Sequence, residues 1–469
     1  MTVYVLGGGP AGLALADGLA EAGQPFVLLE QSRRLGGLAR TEEWEGVGSH
    51  DLGPHKLFTL DAPLMARVKA LLPPGEWLVR DKTSSIFMGG HFLPYPPSPF
   101  SLRRVFGWRR FVGMTAGYGI AMVRRRLPGR RAPESFEADL VDRMGSGLYE
   151  AMFAPIALKL WGPPDELDLK LSRGRVQTPS VLETLALALG RRRSSSFEAL
   201  SFAYPRGGIG RLWDSIKARS EPQGRFLLGH GVVGFDVDGS RITAIRCKGP
   251  AGEARFEVEP DDFVVSTLPL MLTVRLLGPH LSSQALELAQ DSVALNDLVL
   301  VFLHVDRPRL FSESWVFIPD PLVDMHRVSE QAAFDPGMAP DGSIVCCEIM
   351  SRADRDRMSL SDEQLVAGVV AGLASMGRTG FQVRESRVFR LPKSYPVFKR
   401  GYEPALAGLM AELDRFGNFR SIGRQGAFNY IGTLDAMDIG YGAARWLIGG
   451  RSEEWAGERE RTAHYPVLD

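Results

Sequence analysis

Cysteine is almost absent from the chain. Cys247, Cys346 and Cys347 are the only three in 469 residues, two of them adjacent, and none stands at metal-ligand spacing. A disulfide scaffold and a cysteine-held metal are thereby excluded, and reduced thiols packed inside a cytoplasmic protein are expected. An excess of one charge is also lacking. The 55 Lys and Arg balance 55 Asp and Glu, which argues against a general nucleic-acid binder. No run reaches the ~18 uninterrupted apolar residues that a membrane span needs. The nearest candidate, residues 113–123, is short and flanked by arginines, so spanning is excluded while lying on a membrane surface stays open. No basic, apolar leader precedes the first element. There is no HExxH, no set of metal ligands, no Ser-His-Asp constellation, no internal repeat and no low-complexity tract. What remains is an ordinary globular mix, 45% hydrophobic and 23% charged, with chain enough for several domains at ~150 residues each.

The first thirty residues carry the sharpest signal. Thr2 to Leu6 is a short apolar run suited to a buried parallel strand. It leads into Gly7-Gly8-Gly9-Pro10-Ala11-Gly12, then into apolar residues at helical spacing as far as Gly23. Phe26 to Leu29 reads as a second strand, with Glu30 at its carboxyl end. In such a unit Gly7 permits the tight turn, Gly9 lets a pyrophosphate approach the backbone, and Gly12 lets the helix pack closely. The helix N-terminus offers free N–H groups and a positive dipole end. Glu30 falls near the spacing at which a carboxylate accepts hydrogen bonds from a ribose diol, and it would repel a 2′-phosphate. The reading is dinucleotide binding.

Gly229-His230-Gly231-Val232-Val233-Gly234 repeats the same spacing, but alternating residues and Asp238-Gly239 follow it, which is a hairpin signal. A second nucleotide fingerprint is rejected there, and with it a dedicated NAD(P)H domain.

Downstream, Arg33-Arg34-Leu35-Gly36-Gly37-Leu38-Ala39-Arg40-Thr41 resembles the second FAD motif of the amine oxidase and protoporphyrinogen oxidase-like flavoproteins. Asp51-Leu52-Gly53-Pro54-His55, Tyr149 to Pro155, Leu160-Trp161-Gly162, Tyr395-Pro396-Val397 and Gly423-Arg424-Gln425-Gly426 resemble segments of the UDP-galactopyranose mutase-like subgroup. Tyr204 to Gly210 and Val264 to Leu270 are similar to the glycine pair and the returning strand of the same superfamily. One departure stands out. The subgroup shows Tyr-x-x-Met-Asp after the Gly-Arg block, whereas here Tyr430 is followed by Ile431-Gly432-Thr433-Leu434-Asp435, with Met437-Asp438 beyond.

The resemblance implies an α/β chain in which a Rossmann-type FAD-binding domain (1–60, 200–275 and 415–450) is interleaved with a mixed α+β substrate domain (61–199 and 276–414); the polar composition of 451–469 reads as a C-terminal tail. It implies FAD held by Gly7, Gly9, Gly12, Glu30, Arg34, Gly36, Gly37, Arg40, Val232, Gly423, Arg424 and Asp435, with His55 and Tyr395 on the catalytic side. The residues alone read as helices over 134–200, strands over 225–270, buried strands at 296–305 and 344–349, and a helix at 360–376.

Two reactions fit. One is an FAD-dependent oxidoreductase that accepts a hydride from a polar small molecule, sugar-derived ones included. The other is a redox-neutral isomerase that uses reduced flavin on a sugar nucleotide. The displaced aspartate weighs against the second. A flavin-binding scaffold without activity is the third, non-enzymatic reading. Between Ser101 and Arg131 stand nine arginines and no acid, interleaved with Phe106, Trp108 and Phe111. That cluster fits a solvated face, an anionic substrate or partner, or a membrane-surface patch.

Overall fold

A computed structural model describes residues 1–97, 99–129, 131–175, 201–451, 455–463 and 465. The readings made on Arg130, on residues 176–200 and on the last residues of the chain lie outside them.

Val3–Leu6 forms the middle of a five-stranded parallel sheet. The order is Phe419–Ser421, Phe263–Ser266, Val3–Leu6, Phe26–Glu30, Gly224–Leu228. Alternate side chains leave it on opposite faces, as strand geometry requires. Val3, Val5, Leu28 and Val265 pack under the helices Pro10–Glu21, Gly210–Ser220 and Thr433–Ile448. Leu6, Leu29, Val264 and Phe419 pack against Phe235, Ile242 and Ile245. Those last residues belong to a three-stranded antiparallel sheet, Gly231–Asp238, Arg241–Gly249 and Gly252–Glu257. The hairpin read at Asp238-Gly239 is therefore present, and the second glycine set opens a strand.

The other half is built on a seven-stranded mixed sheet in the order Val383–Val397, Ala294–Val305, Ser343–Ser351, Arg327–Glu330, Trp315–Phe317, Ser84–Met88, His91–Pro94. Ala294–Val305 is buried from Leu298 onward, because Leu298, Leu300 and Phe302 enter one apolar cluster and Val299, Val301, Leu303 and Val305 another on the opposite face. Helix Asp362–Ser375, capped by Ser361 and Gln364, covers one face. Residues 136–175 are a run of short helices, Phe136–Met144, Ser146–Met152, Ala154–Leu160 and Leu169–Arg175. Pro99–Arg124 is helical on both sides of Gly107, whose φ of 73° interrupts it.

The polar C-terminal stretch is corrected by the structure. Within it, Trp455–Thr462 is a docked helix. Trp455 is buried with its ring 5.0 Å from that of Trp446, and Arg459 pairs with Asp414 at 2.6 Å. One tryptophan and a few charge pairs suffice to hold a helix whose composition is otherwise polar. All three cysteines are free and buried. Among the described residues no helix is long and apolar enough to cross a membrane.

Candidate functional site

The site begins where the first strand ends. The chain turns at Gly7, φ 103°, and Gly9 caps helix Pro10–Glu21 in an extended conformation without any side-chain cap. A Cβ on Gly12 would lie 2.1 Å from the Gly7 carbonyl oxygen, so only glycine allows the helix to start this close to the turn. A Cβ on Gly9 would meet nothing within 4 Å. That open face beside uncapped N–H groups is where an anionic phosphate can approach.

The second glycine motif folds onto the first. Gly36 donates its N–H to the Gly8 carbonyl at 2.7 Å, and a Cβ on Gly37 would lie 3.2 Å from Gly9 Cα. Arg40 braces this loop by donating from Nη1 to the Gly37 carbonyl at 3.0 Å and from Nε to Glu42 at 2.5 Å. Arg34 is more exposed and reaches the Thr41 carbonyl at 3.4 Å.

Glu30 is buried at the end of the second strand. Its carboxylate accepts from the backbone N–H groups of Gly8 and Ser32, each at 2.7 Å. The His230 N–H donates to the Glu30 carbonyl at 2.8 Å, and Gly229 donates to Ser32 at 3.0 Å. These bonds draw Val232 alongside Glu30. Val232 pairs with Cys247 on an edge strand of its sheet.

A third wall comes from the far end of the chain. Gly440 of helix Thr433–Ile448 lies against Ala11, and Ala444 lies against Gly18. The two helices therefore run parallel, and both N-termini face the same side of the sheet. The caps are Gly9 and Gly432, both extended. Gly423, φ 86°, approaches Ala11 as well. Asp435 accepts from the Gly432 N–H at 2.9 Å and so caps its own helix. Burial pushes its carboxyl up to about 6. The one-place displacement noted in the sequence puts this aspartate at the third position of the first turn.

His55 follows the strand Gly48–Asp51. Its Nε2 lies 3.2 Å from the carbonyl oxygens of both Leu38 and Leu52, which assigns the proton to that nitrogen. Burial, then the positive charges of Arg327 and Arg424, lower its pKa to about 4, so the ring is neutral. Arg424 donates to the Ile431 carbonyl at 2.6 Å, with its guanidinium 5.1 Å from the Tyr430 ring and 5.9 Å from that of Tyr395. Tyr395 closes the strand Val383–Val397 and sits 5.3 Å from Tyr430, which in turn meets Trp161 at 6.5 Å. The structure thus gathers His55, Arg424 and Tyr395 with aromatic walls. Glu30, Arg34, Arg40 and Val232 stand at the first glycine loop and the segments tied to it.

Two further participants are not among the candidate site residues; Arg327 belongs to no motif, and Asp51 opens the segment that carries His55. Arg327 is fixed by two bonds to Glu348, 2.5 and 2.8 Å, directly across the strand pair. Only the strand register brings these residues together. Asp51 is fully enclosed and accepts from the Thr41 hydroxyl at 2.6 Å, the Tyr204 hydroxyl at 2.7 Å and the Ile209 N–H at 3.2 Å. Burial raises it to about 6. It joins the segment that carries His55 to the glycine pair Gly207-Gly208. Among the described residues no group of His, Cys, Asp and Glu assembles as a metal site.

The whole arrangement is similar in fold to several solved structures. A reduced UDP-galactopyranose mutase superposes with a TM-score of 0.82 at 20% identity, covering 100% of both chains. A putative protoporphyrinogen oxidase from Exiguobacterium sp. 255-15 gives 0.72 at 18% identity, over 96% of this chain and 99% of the other. A fatty acid isomerase from P. acnes gives 0.59 at 13% identity, over 96% and 98%. At these identities the likeness is one of fold. Residues 10–401 match the flavin-containing amine oxidoreductases as a family, and with most of its length so matched the chain belongs to that family.

Proposed function

We propose that the protein is an FAD-dependent oxidoreductase that accepts a hydride from a polar, anionic small molecule, sugar-derived ones included. The observation that carries the reading is the geometry of His55, Arg424 and Tyr395: His55 Nε2 lies 3.2 Å from the Leu38 and Leu52 carbonyls, and the Arg424 guanidinium lies 5.9 Å from the Tyr395 ring. The Arg424 guanidinium suits a substrate that brings its own negative charge, while Arg327 is held by Glu348. The residues fit FAD: the uncapped helix end at Gly9 suits the pyrophosphate, and Glu30 with Val232 suits the adenosine. Bound there, FAD supplies the two-electron chemistry that side chains lack. The chain's own groups orient. With the His55 proton shared between two carbonyls, Nδ1 is the remaining acceptor for a substrate hydroxyl. Arg424, held by the Ile431 carbonyl and by two tyrosine rings, offers a fixed charge. Trp161, Tyr395 and Tyr430 shield the site from water.

A second reading is a redox-neutral isomerase that works only with flavin reduced beforehand. The end-to-end match with a reduced UDP-galactopyranose mutase supports it. One experiment separates the two. The flavin released on denaturation is first identified by chromatography, with FAD expected and FMN overturning the assignment. The holoenzyme is then incubated without air with UDP-galactopyranose and with other anionic sugar derivatives. Bleaching of oxidised flavin, reversed by oxygen, is the expected result. An isomeric product that forms only after dithionite reduction, with no electrons consumed, overturns the oxidoreductase in favour of the isomerase.

A further inference from the structure

The second part of helix Pro99–Arg124, beyond the break at Gly107, projects an apolar stripe into solvent. Trp108 is 64% exposed, Val112 45%, Ile120 61% and Val123 60%. These positions recur at spacings that place them on one helical face. The opposite side is anchored: Met114 and Ala121 are buried, and a Cβ on Gly145 would lie 2.8 Å from Gly117. The stripe is therefore a fixed surface of the folded protein. It continues past the helix into Leu127, itself 58% exposed.

Arginines bracket this stripe at both ends. Arg103, Arg104, Arg109 and Arg110 cluster around its Trp108 end, Arg124 and Arg126 around its Val123 and Leu127 end, and all are exposed. Among the described residues none of these six has a carboxylate partner. Arg125 and Arg131 are the ones that pair, with Asp142 and Glu134. The stretch Ser101 to Arg131 holds no acid at all. The protein as a whole has a formal charge of zero, so this is a local concentration of positive charge.

We propose that this face docks the enzyme on an anionic membrane, with the apolar stripe lying in the headgroup boundary and the flanking arginines on lipid phosphates. The chemistry at both levels matches such a surface. A helix of this length spans ~25 Å in the plane. Its apolar residues sink shallowly, while guanidinium groups reach outward to headgroups. A second copy of the chain is a poorer occupant. A two-fold contact along the stripe would bring arginines of one copy against those of the other, without acids to offset them. A nucleic acid would satisfy the arginines and leave valine and isoleucine uncovered by any complementary apolar surface.

The test is flotation of the full-length holoprotein with vesicles. It should float with vesicles of phosphatidylcholine and phosphatidylglycerol in equal amounts, remain behind with phosphatidylcholine alone, and be released by salt. The variant Arg109→Gln/Arg110→Gln/Arg124→Gln/Arg126→Gln should lose about fivefold in partition per arginine removed. Restoring the four charges as Lys should recover most of it. Trp108→Ser/Ile120→Ser should also weaken partition. All three variants should keep flavin content and unfolding midpoint, because the altered side chains are exposed. Failure of the parent protein to float, or flotation unchanged in both the glutamine and serine variants, overturns the proposal. A dimer dissociated by Trp108→Ser/Ile120→Ser, without vesicle binding, assigns the face to a second copy. Retention on single-stranded RNA without vesicle binding overturns it too.

Discussion

Glu30 holds two backbone N–H groups before any ligand arrives. Its carboxylate therefore shapes the glycine loop as well as offering the ribose an acceptor. Hydrogen bonds to a charged group contribute roughly 1.5–3 kcal/mol each. Glu30→Ala should weaken FAD binding about tenfold or more, read by fluorescence titration of the flavin. Unchanged affinity would remove Glu30 from the ribose. His55 makes a prediction about pH. Its folded pKa, about 4, lies below the ordinary value of 6.5. As the pH falls from 6.5 toward 4 the unfolded chain takes up the proton first, so this contribution to stability is complete above 6.5 and shrinks below it. His50, buried against Phe302 and also lowered to about 4, acts in the same direction. Asp51, raised to about 6, acts oppositely: its contribution is complete below 3.8 and is lost as pH rises through 6. The His55→Gln variant lacks one acid-labile contribution. Urea unfolding at pH 7 and pH 4.5 should show the stability gap between parent and variant narrowing by about 2 kcal/mol at the lower pH. A constant gap would mean that the His55 pKa is the same in the folded and unfolded chain.

Among the elements, the parallel helices Pro10–Glu21 and Thr433–Ile448 depend on a bare backbone at one point. A Cβ on Gly440 would lie 2.2 Å from the Ala11 carbonyl oxygen. Gly440→Ala should destabilise the protein by about 1–3 kcal/mol through overpacking and should loosen flavin binding, since Ala11 belongs to the glycine loop. Gly457→Ala is the control. It sits on the exposed side of helix Trp455–Thr462 with nothing within 4 Å, and should be neutral or stabilising by up to about 1 kcal/mol. Equal losses in thermal midpoint would refute the close-approach argument. The strand, glycine loop, helix, strand and acid at the N-terminus were legible because every part of that unit is local in sequence. The buried strand Ala294–Val305 was legible for the same reason. The arrangement around His55 was not. Arg327 meets Glu348 only through strand register. Lys159 donates to the carbonyls of Ile318, Asp320 and Val323, each at 2.7 Å, across a separation that no motif announces. The docked helix Trp455–Thr462 is anchored by a single tryptophan, which gives no periodic signal in the sequence.

At the scale of the whole molecule the two halves are fastened together by the hairpin of strands Thr41–Trp44 and Gly48–Asp51 and by the Gly207 turn. Trp44 is buried and donates from Nε1 to Glu385 at 2.9 Å. Arg387 stacks 4.8 Å from the Trp44 ring and donates to the Glu43 carbonyl at 2.8 Å. The Gly207 N–H reaches Asp335 at 2.8 Å, and the Asp51 N–H reaches Gln331 at 3.3 Å. Each link joins a segment near the glycine loops to a strand or turn of the seven-stranded sheet. The chain also passes between the two halves several times, so neither sheet can be completed while the other is unfolded. Such a molecule should lose both halves together. Flavin release followed by fluorescence and backbone unfolding followed by far-ultraviolet circular dichroism should then share one midpoint. Trp44→Phe keeps the aromatic volume but leaves Glu385 without its indole donor. It should lower that common midpoint by about 1 °C, for a loss of about 1 kcal/mol in a chain of this size, without splitting the transition. Two separated transitions in the parent protein would show that these links do not couple the halves. A split seen only in Trp44→Phe would instead place most of the coupling at that one indole.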